Sequence, residues 1–402
     1  MDVTTAGRGR SWRRPAWVVL ALVVAVAVTA CTGSSASPNW VPPGSAAPAR
    51  SAAAAPAAGD CVSATLGRLD LPGRVGQLLM VGTPIANPGG LADTVRRYRL
   101  GGVFLAGRTT ASAATLRQGI HALQNAAAIP VQVAVDQEGG EVQTLQGNDF
   151  PPIPTAVVQG RWDAATLHSR TADWAHRLAG AGITLDLAPV ADTVAAELGK
   201  ANPPIGAFDR QYGATPDAVA QDIGTVVGAA QGAGVLTTLK HFPGLGRVRA
   251  NTDTSDRAVD AVSTVDDPNL KPFAAGIQAG SAAVMVSLAS YPRLDAKAIA
   301  AFSAPIVTGL LRQKLGYTGL VMSDDLGAAA AVEAVPVGQR AVRFIQAGGD
   351  LALTIRPADA AVMSAALLSA AQSSATFQAR VTDAATHVLR SKARAGLLRC
   401  PS

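Results

Sequence analysis

The sequence predicts an α/β fold, a single (β/α)8 barrel, on three observations. Eight short apolar runs recur between Cys61 and Cys400, helix-length segments separate them, and several runs end in charged or hydrogen-bonding residues. The runs are continuous instead of alternating, as expected of parallel strands buried on both faces. The roughly 340 residues between those cysteines suit a barrel with extended loops. An open doubly wound sheet is the alternative, but no Gly-rich phosphate loop opens the first helix.

In order, strands are expected at 77–81, 102–105, 131–135, 185–188, 235–239, 283–286, 320–322 and 351–353. The segments between them, such as 164–179 and 216–232, are rich in Ala with Gly near their ends, as short capped helices are. Residues 245–267, after the fifth run, are polar and lack an apolar period. A loop of that length in a barrel reads as a functional lid.

The amino-terminal region has a different character. Four arginines, Arg8, Arg10, Arg13 and Arg14, precede an apolar run at 16–28 that is too short for a comfortable membrane span. Residues 1–30 read as a secretory signal, with an uncleaved anchor as the alternative. The signal ends in Val28-Thr29-Ala30-Cys31, which resembles a bacterial lipobox, so Cys31 is expected to become the lipidated first residue. Residues 31–60 are almost entirely Ala, Pro, Ser and Gly and read as a tether, leaving 61–402 as the folded domain. The expected location is extracytoplasmic, anchored to the cell membrane through lipid.

The formal charge of +6 shrinks without the signal, leaving 30 basic against 27 acidic residues. With no basic cluster or aromatic ladder, nucleic acid is not an expected partner. Cys61 and Cys400 flank the domain and are expected to form a disulfide in an oxidising compartment; two free thiols are the alternative. No Cys or His spacing fits a metal site, and no cofactor is expected.

Three motifs carry the chemistry: Asp136-Gln137-Glu138-Gly139-Gly140, Lys240-His241-Phe242-Pro243-Gly244 and Ser323-Asp324-Asp325-Leu326, each following an apolar run. Polar groups at the carboxyl ends of barrel strands are the material of a barrel active site. Read alone, Asp324 could equally cap the Ala-rich segment that follows it. The ordered set closely resembles the bacterial β-N-acetylglucosaminidases of glycoside hydrolase family 3, across residues 71–398.

That resemblance implies a retaining hydrolase that removes terminal N-acetylglucosamine from cell-wall or muropeptide fragments, expected to act as a monomer on a small carbohydrate. Asp324 matches the family's nucleophile. Asp136, Arg210, Lys240 and His241 match residues that grip the sugar, and Gly139 and Gly140 are expected to let backbone approach it. Asp325 is expected to point elsewhere.

Two departures stand out. Thr144 occupies the place of a family arginine, and Glu141 replaces another frequent one. The family's acid/base is a histidine in an Asp-Ser-His triplet on the loop after the fifth strand, and that triplet falls on Asn251-Thr252-Asp253. Histidines occur only at His121, His168, His176, His241 and His387. Asp253 is therefore the candidate acid/base, with Asp256 and Asp260 as competitors; a carboxyl raised by burial or by the Asp324 charge could serve. A β-glucosidase of the same family, or a surface glycan-binding lipoprotein without efficient hydrolysis, are the alternatives.

Overall fold

The computed structural model describes residues 58–398; Cys31 and Cys400, with the expected signal and most of the expected tether, lie outside the described residues. Eight parallel strands form one sheet: β1 Leu79–Pro84, β2 Gly102–Ala106, β3 Gln132–Val135, β4 Leu185–Asp186, β5 Leu236–Phe242, β6 Ala283–Val286, β7 Leu320–Ser323 and β8 Ala352–Thr354. Each pairs with its sequence neighbour, and β1 also pairs with β8. A parallel bridge between Met322 and Leu351 joins β7 to β8 and closes the barrel.

Alternation along the strands divides the core in two. Met80, Phe104, Ala134, Leu185, Leu236, Met285, Met322 and Leu353 fill the barrel. Their neighbours Val81, Val103, Val133, Val284 and Val321 pack outward beneath the helices. Such filling by bulky side chains makes the interior a packed core and leaves the mouth for chemistry.

The helices start and stop as their sequences ask. Asp163 accepts the Thr166 amide at 2.9 Å and caps Ala164–Gly180, while Pro216 opens Pro216–Gly232. Gly182 and Gly234 take φ +90° and +92° as the chain turns from these helices toward β4 and β5.

The expected β4 runs two residues too far, and the expected β5 begins one residue early and stops three residues short of Phe242. Regular strand ends at Asp186, but backbone bonds continue past it, from the Thr238 amide to the Ala188 carbonyl at 2.9 Å and through the Val190 bridge to Lys240. Lys240 and His241, expected just after β5, instead lie within it, immediately before its last residue, Phe242. Polar side chains ended the apolar run, but the backbone ladder continued beneath them.

Residues 245–267 contain no helix or strand and lie over the mouth. Their base is tied by Arg247, which donates to both Asp267 oxygens at 2.6 and 3.0 Å. The middle is held by main chain, with the Asp260 amide on the Ser290 carbonyl and the Ser290 amide on the Ala258 carbonyl, both at 2.9 Å. The tip docks on the loop after β7, where the Ala330 and Ala331 amides donate to the carbonyls of Asp253 and Thr252 at 3.2 and 3.1 Å.

Candidate active site

At the carboxyl ends of the strands lies a cavity of about 320 Å³. It is lined by Asp136, Arg210, Lys240, His241, Asp253 and Asp324 together with apolar side chains including Phe104, Met285 and Leu353. All six residues expected from sequence to serve catalysis or sugar binding therefore meet in one place.

The cationic side is built on a residue the sequence reading quoted without a role. Glu138 accepts two bonds from Arg210, at 2.8 and 2.7 Å, and lies 2.6 Å from Lys240 Nζ. Burial pushes its carboxyl up, but Arg210 and Lys240 outweigh burial and hold it down at about 2. Lys240 Nζ also donates to Asp136 at 2.6 Å. Burial pulls the lysine down, while Asp136 and Glu138 more than offset it and keep it charged.

Asp192 is the second residue sequence reasoning missed. It is fully buried behind His241, accepts from Nδ1 at 2.8 Å and from the His241 amide at 3.2 Å, and takes the Leu245 amide at 2.7 Å. Arg210 lies 3.4 Å from His241 Nε2, on the side of the ring away from Asp192. A buried histidine at a strand end calls for a carboxylate partner, and that was the signal available in the sequence.

Gly139 and Gly140 also serve the packing of the chain behind the site. Gly139, at φ +103°, would bring a Cβ to 2.4 Å from the Pro154 carbonyl, and Gly140, at φ +57°, would bring one to 2.6 Å from Thr155. They let the hairpin of Gln137–Gly139 and Val142–Gln143 lie against residues 153–155, with Val142 reaching the cavity. Thr144, in place of the family arginine, is buried and donates its amide to the Asp136 carbonyl at 3.0 Å.

The two adjacent aspartates divide their work. Asp325 spends its oxygens on backbone, accepting from Gly327 and Ile355 at 2.8 and 2.9 Å and from Ala328 at 2.9 Å. It takes the capping role that Asp324 might have had. Asp324 accepts only the Asp325 amide, at 2.8 Å, and faces the cavity. Burial raises its carboxyl above the ordinary range and the Asp253 charge adds to that, against the opposing pull of His241 and Lys240.

On the loop, Asn251, Thr252 and Asp253 reach the cavity. The competing acids do not. Asp256 is exposed beside Arg257 and does not line the cavity. Asp260 is buried and occupied by the Val262 and Ser263 amides at 2.8 and 3.0 Å and the Ser263 hydroxyl at 2.7 Å. Asp253 is itself exposed, so the burial expected of it is not present. Among the described residues, no cluster of His, Cys, Asp and Glu could hold a metal ion.

Residues 71–391 match the family model described as the glycosyl hydrolase family 3 N-terminal domain. The chain belongs to glycosyl hydrolase family 3. A curated β-hexosaminidase of Xanthomonas euvesicatoria pv. vesicatoria is 35% identical over 275 residues, covering 66% of this chain and 79% of that protein. The solved β-N-acetylhexosaminidase from Beutenbergia cavernae superposes with TM-score 0.78 at 46% identity, over 81% of this chain and 98% of that one. A family 3 β-N-acetylglucosaminidase from Paenibacillus superposes with TM-score 0.74 at 30% identity, over 82% and 63% of the two chains. The family 3 domain described here is a glycoside hydrolase on a (β/α)8 barrel, as its motifs implied.

Proposed function

We propose that this chain is a retaining exo-β-N-acetylglucosaminidase that removes terminal β-linked N-acetylglucosamine from cell-wall or muropeptide fragments. The observation that carries the reading is the division between Asp324 and Asp325: one carboxyl faces the cavity with a single backbone bond, while its neighbour is tied to three amides. Asp324 attacks the anomeric carbon and forms the covalent intermediate, and Asp253 protonates the departing oxygen and then deprotonates the attacking water. Asp136, Arg210, Lys240 and His241 hold the sugar hydroxyls. Their mutual ion pairs fix their positions before substrate arrives.

Binding without cleavage is the second reading, favoured by the absence of any histidine between His241 and His387. One assay separates the two. Purified protein should release chromophore from an aryl β-N-acetylglucosaminide and much less from the aryl β-glucoside. Tight binding of N-acetylglucosamine with no release would favour the second reading.

The same proposal places the enzyme outside the cytoplasmic membrane, held by lipid on Cys31, with Cys61 bonded to Cys400. Supporting the disulfide, Cys61 is buried on Ala58–Gly67, which packs against the carboxyl-terminal helix Ala375–Arg394. Closing so long a loop contributes up to about 5 kcal/mol in the chain-entropy model. Among the described residues, no helix is long and apolar enough to cross a membrane. Fractionation with intact-mass analysis tests both points: wild type should be membrane-bound, acylated and without free thiols. Cys31→Ala should be soluble with the disulfide intact. Wild type with no acyl group, or with two free thiols, contradicts the respective claim.

A further inference from the structure

The proposed site carries far more negative than positive charge. Asp136, Asp253, Asp324 and Asp325 line the cavity, and Glu138 and Asp192 stand directly behind its cationic wall. Against these six carboxyl groups the lining offers two permanent cations, Arg210 and Lys240. Both are already engaged, Arg210 with Glu138 and Lys240 with Glu138 and Asp136.

A surplus of one sign in a cavity with low-dielectric walls projects its field through the mouth, where the leaving group of the substrate must sit. The glycone is an uncharged sugar and feels little of it. A carboxylate on the adjoining residue meets no unpaired cation among the groups that line the cavity.

We infer that the site selects its leaving group by charge, releasing N-acetylglucosamine faster from neutral or cationic partners than from carboxylate-bearing ones of the same shape. The inference rests on the proposed activity and narrows it. Chito-oligosaccharides and muramic acid residues whose lactyl carboxyl is locked in an amide are the favoured class, and muramic acid with a free carboxylate is the disfavoured one. Since the extra charge lies away from the breaking bond, the discrimination acts through substrate capture, in kcat/KM and KM more than in kcat.

The test compares three disaccharides with the full-length enzyme: N-acetylglucosamine joined to N-acetylglucosamine, to N-acetylmuramic acid, and to the methyl amide of that same acid. The amide and the neutral disaccharide should exceed the free acid at least tenfold in kcat/KM at low salt. The gap should shrink as ionic strength rises past the point where charges a few ångströms apart in solvent are screened. Equal kcat/KM for acid and amide, or a gap indifferent to salt, would overturn the inference while leaving the activity standing. Failure on all three and on the aryl glycoside would sink the activity itself, and the inference with it.

Discussion

Asp324→Asn should abolish turnover, by ~10⁴-fold or more, the scale on which loss of a nucleophile is felt. The fold should survive, because the side chain makes one bond, to the Asp325 amide, and an amide oxygen can accept it equally well. In wild type, a 2-fluoro glycosyl fluoride should trap the covalent intermediate on Asp324, identified by peptide mass. A label on Asp325, or unimpaired turnover in the variant, would overturn the assignment. The pH profile offers an independent check. A nucleophile must be ionised, and burial together with the Asp253 charge raises this carboxyl, so the acid limb of kcat/KM should lie above the ordinary aspartate range. Removing one source of that rise by Asp253→Asn should shift the limb toward lower pH, measured on an activated aryl glycoside whose departure needs little proton donation.

Asp253→Ala should cost roughly a hundred- to ten-thousand-fold on natural disaccharides, the usual worth of a positioned general acid. Intermediate formation from an activated aryl glycoside should suffer far less, since its leaving group needs no proton. Its breakdown by water should then be slow and partly restored by azide, which needs no base. The rival acids give internal controls. Asp256→Ala should behave like wild type, whereas Asp260→Ala should loosen the loop by stranding three donors that now share one carboxyl. Wild-type rates for Asp253→Ala on the natural disaccharide would show that the proton comes from elsewhere.

Most of the barrel was legible because buried parallel strands have no polar face to interrupt them. Runs such as 283–286 and 131–135 stand out from the Ala-rich helices without any tertiary information, and the helix Pro216–Gly232 was bounded by its own proline and glycine. Strand ends were less legible where function intrudes. β5 runs on through Lys240 and His241 because a lysine and a histidine can sit in a ladder when carboxylates await them, and those carboxylates come from the segments that follow β3 and β4. Glu138 and Asp192 went unassigned for the same reason. Each acts through a partner more than forty residues away, and nothing local to the sequence marks that pairing. The roles of Asp324 and Asp325 were assigned through the family resemblance; from the residues alone either could have taken the cap.

The docking of the lid has a consequence for how such a site can change. The loop tip is held by the carbonyls of Thr252 and Asp253 on two amides of the facing loop, so neither bond passes through a side chain. The latch is thus indifferent to the identity of residue 253. A scaffold of this kind separates the anchorage of the loop from the side chain mounted on it, so that an engineer can exchange carboxylate for imidazole at residue 253 without first redesigning how the loop docks.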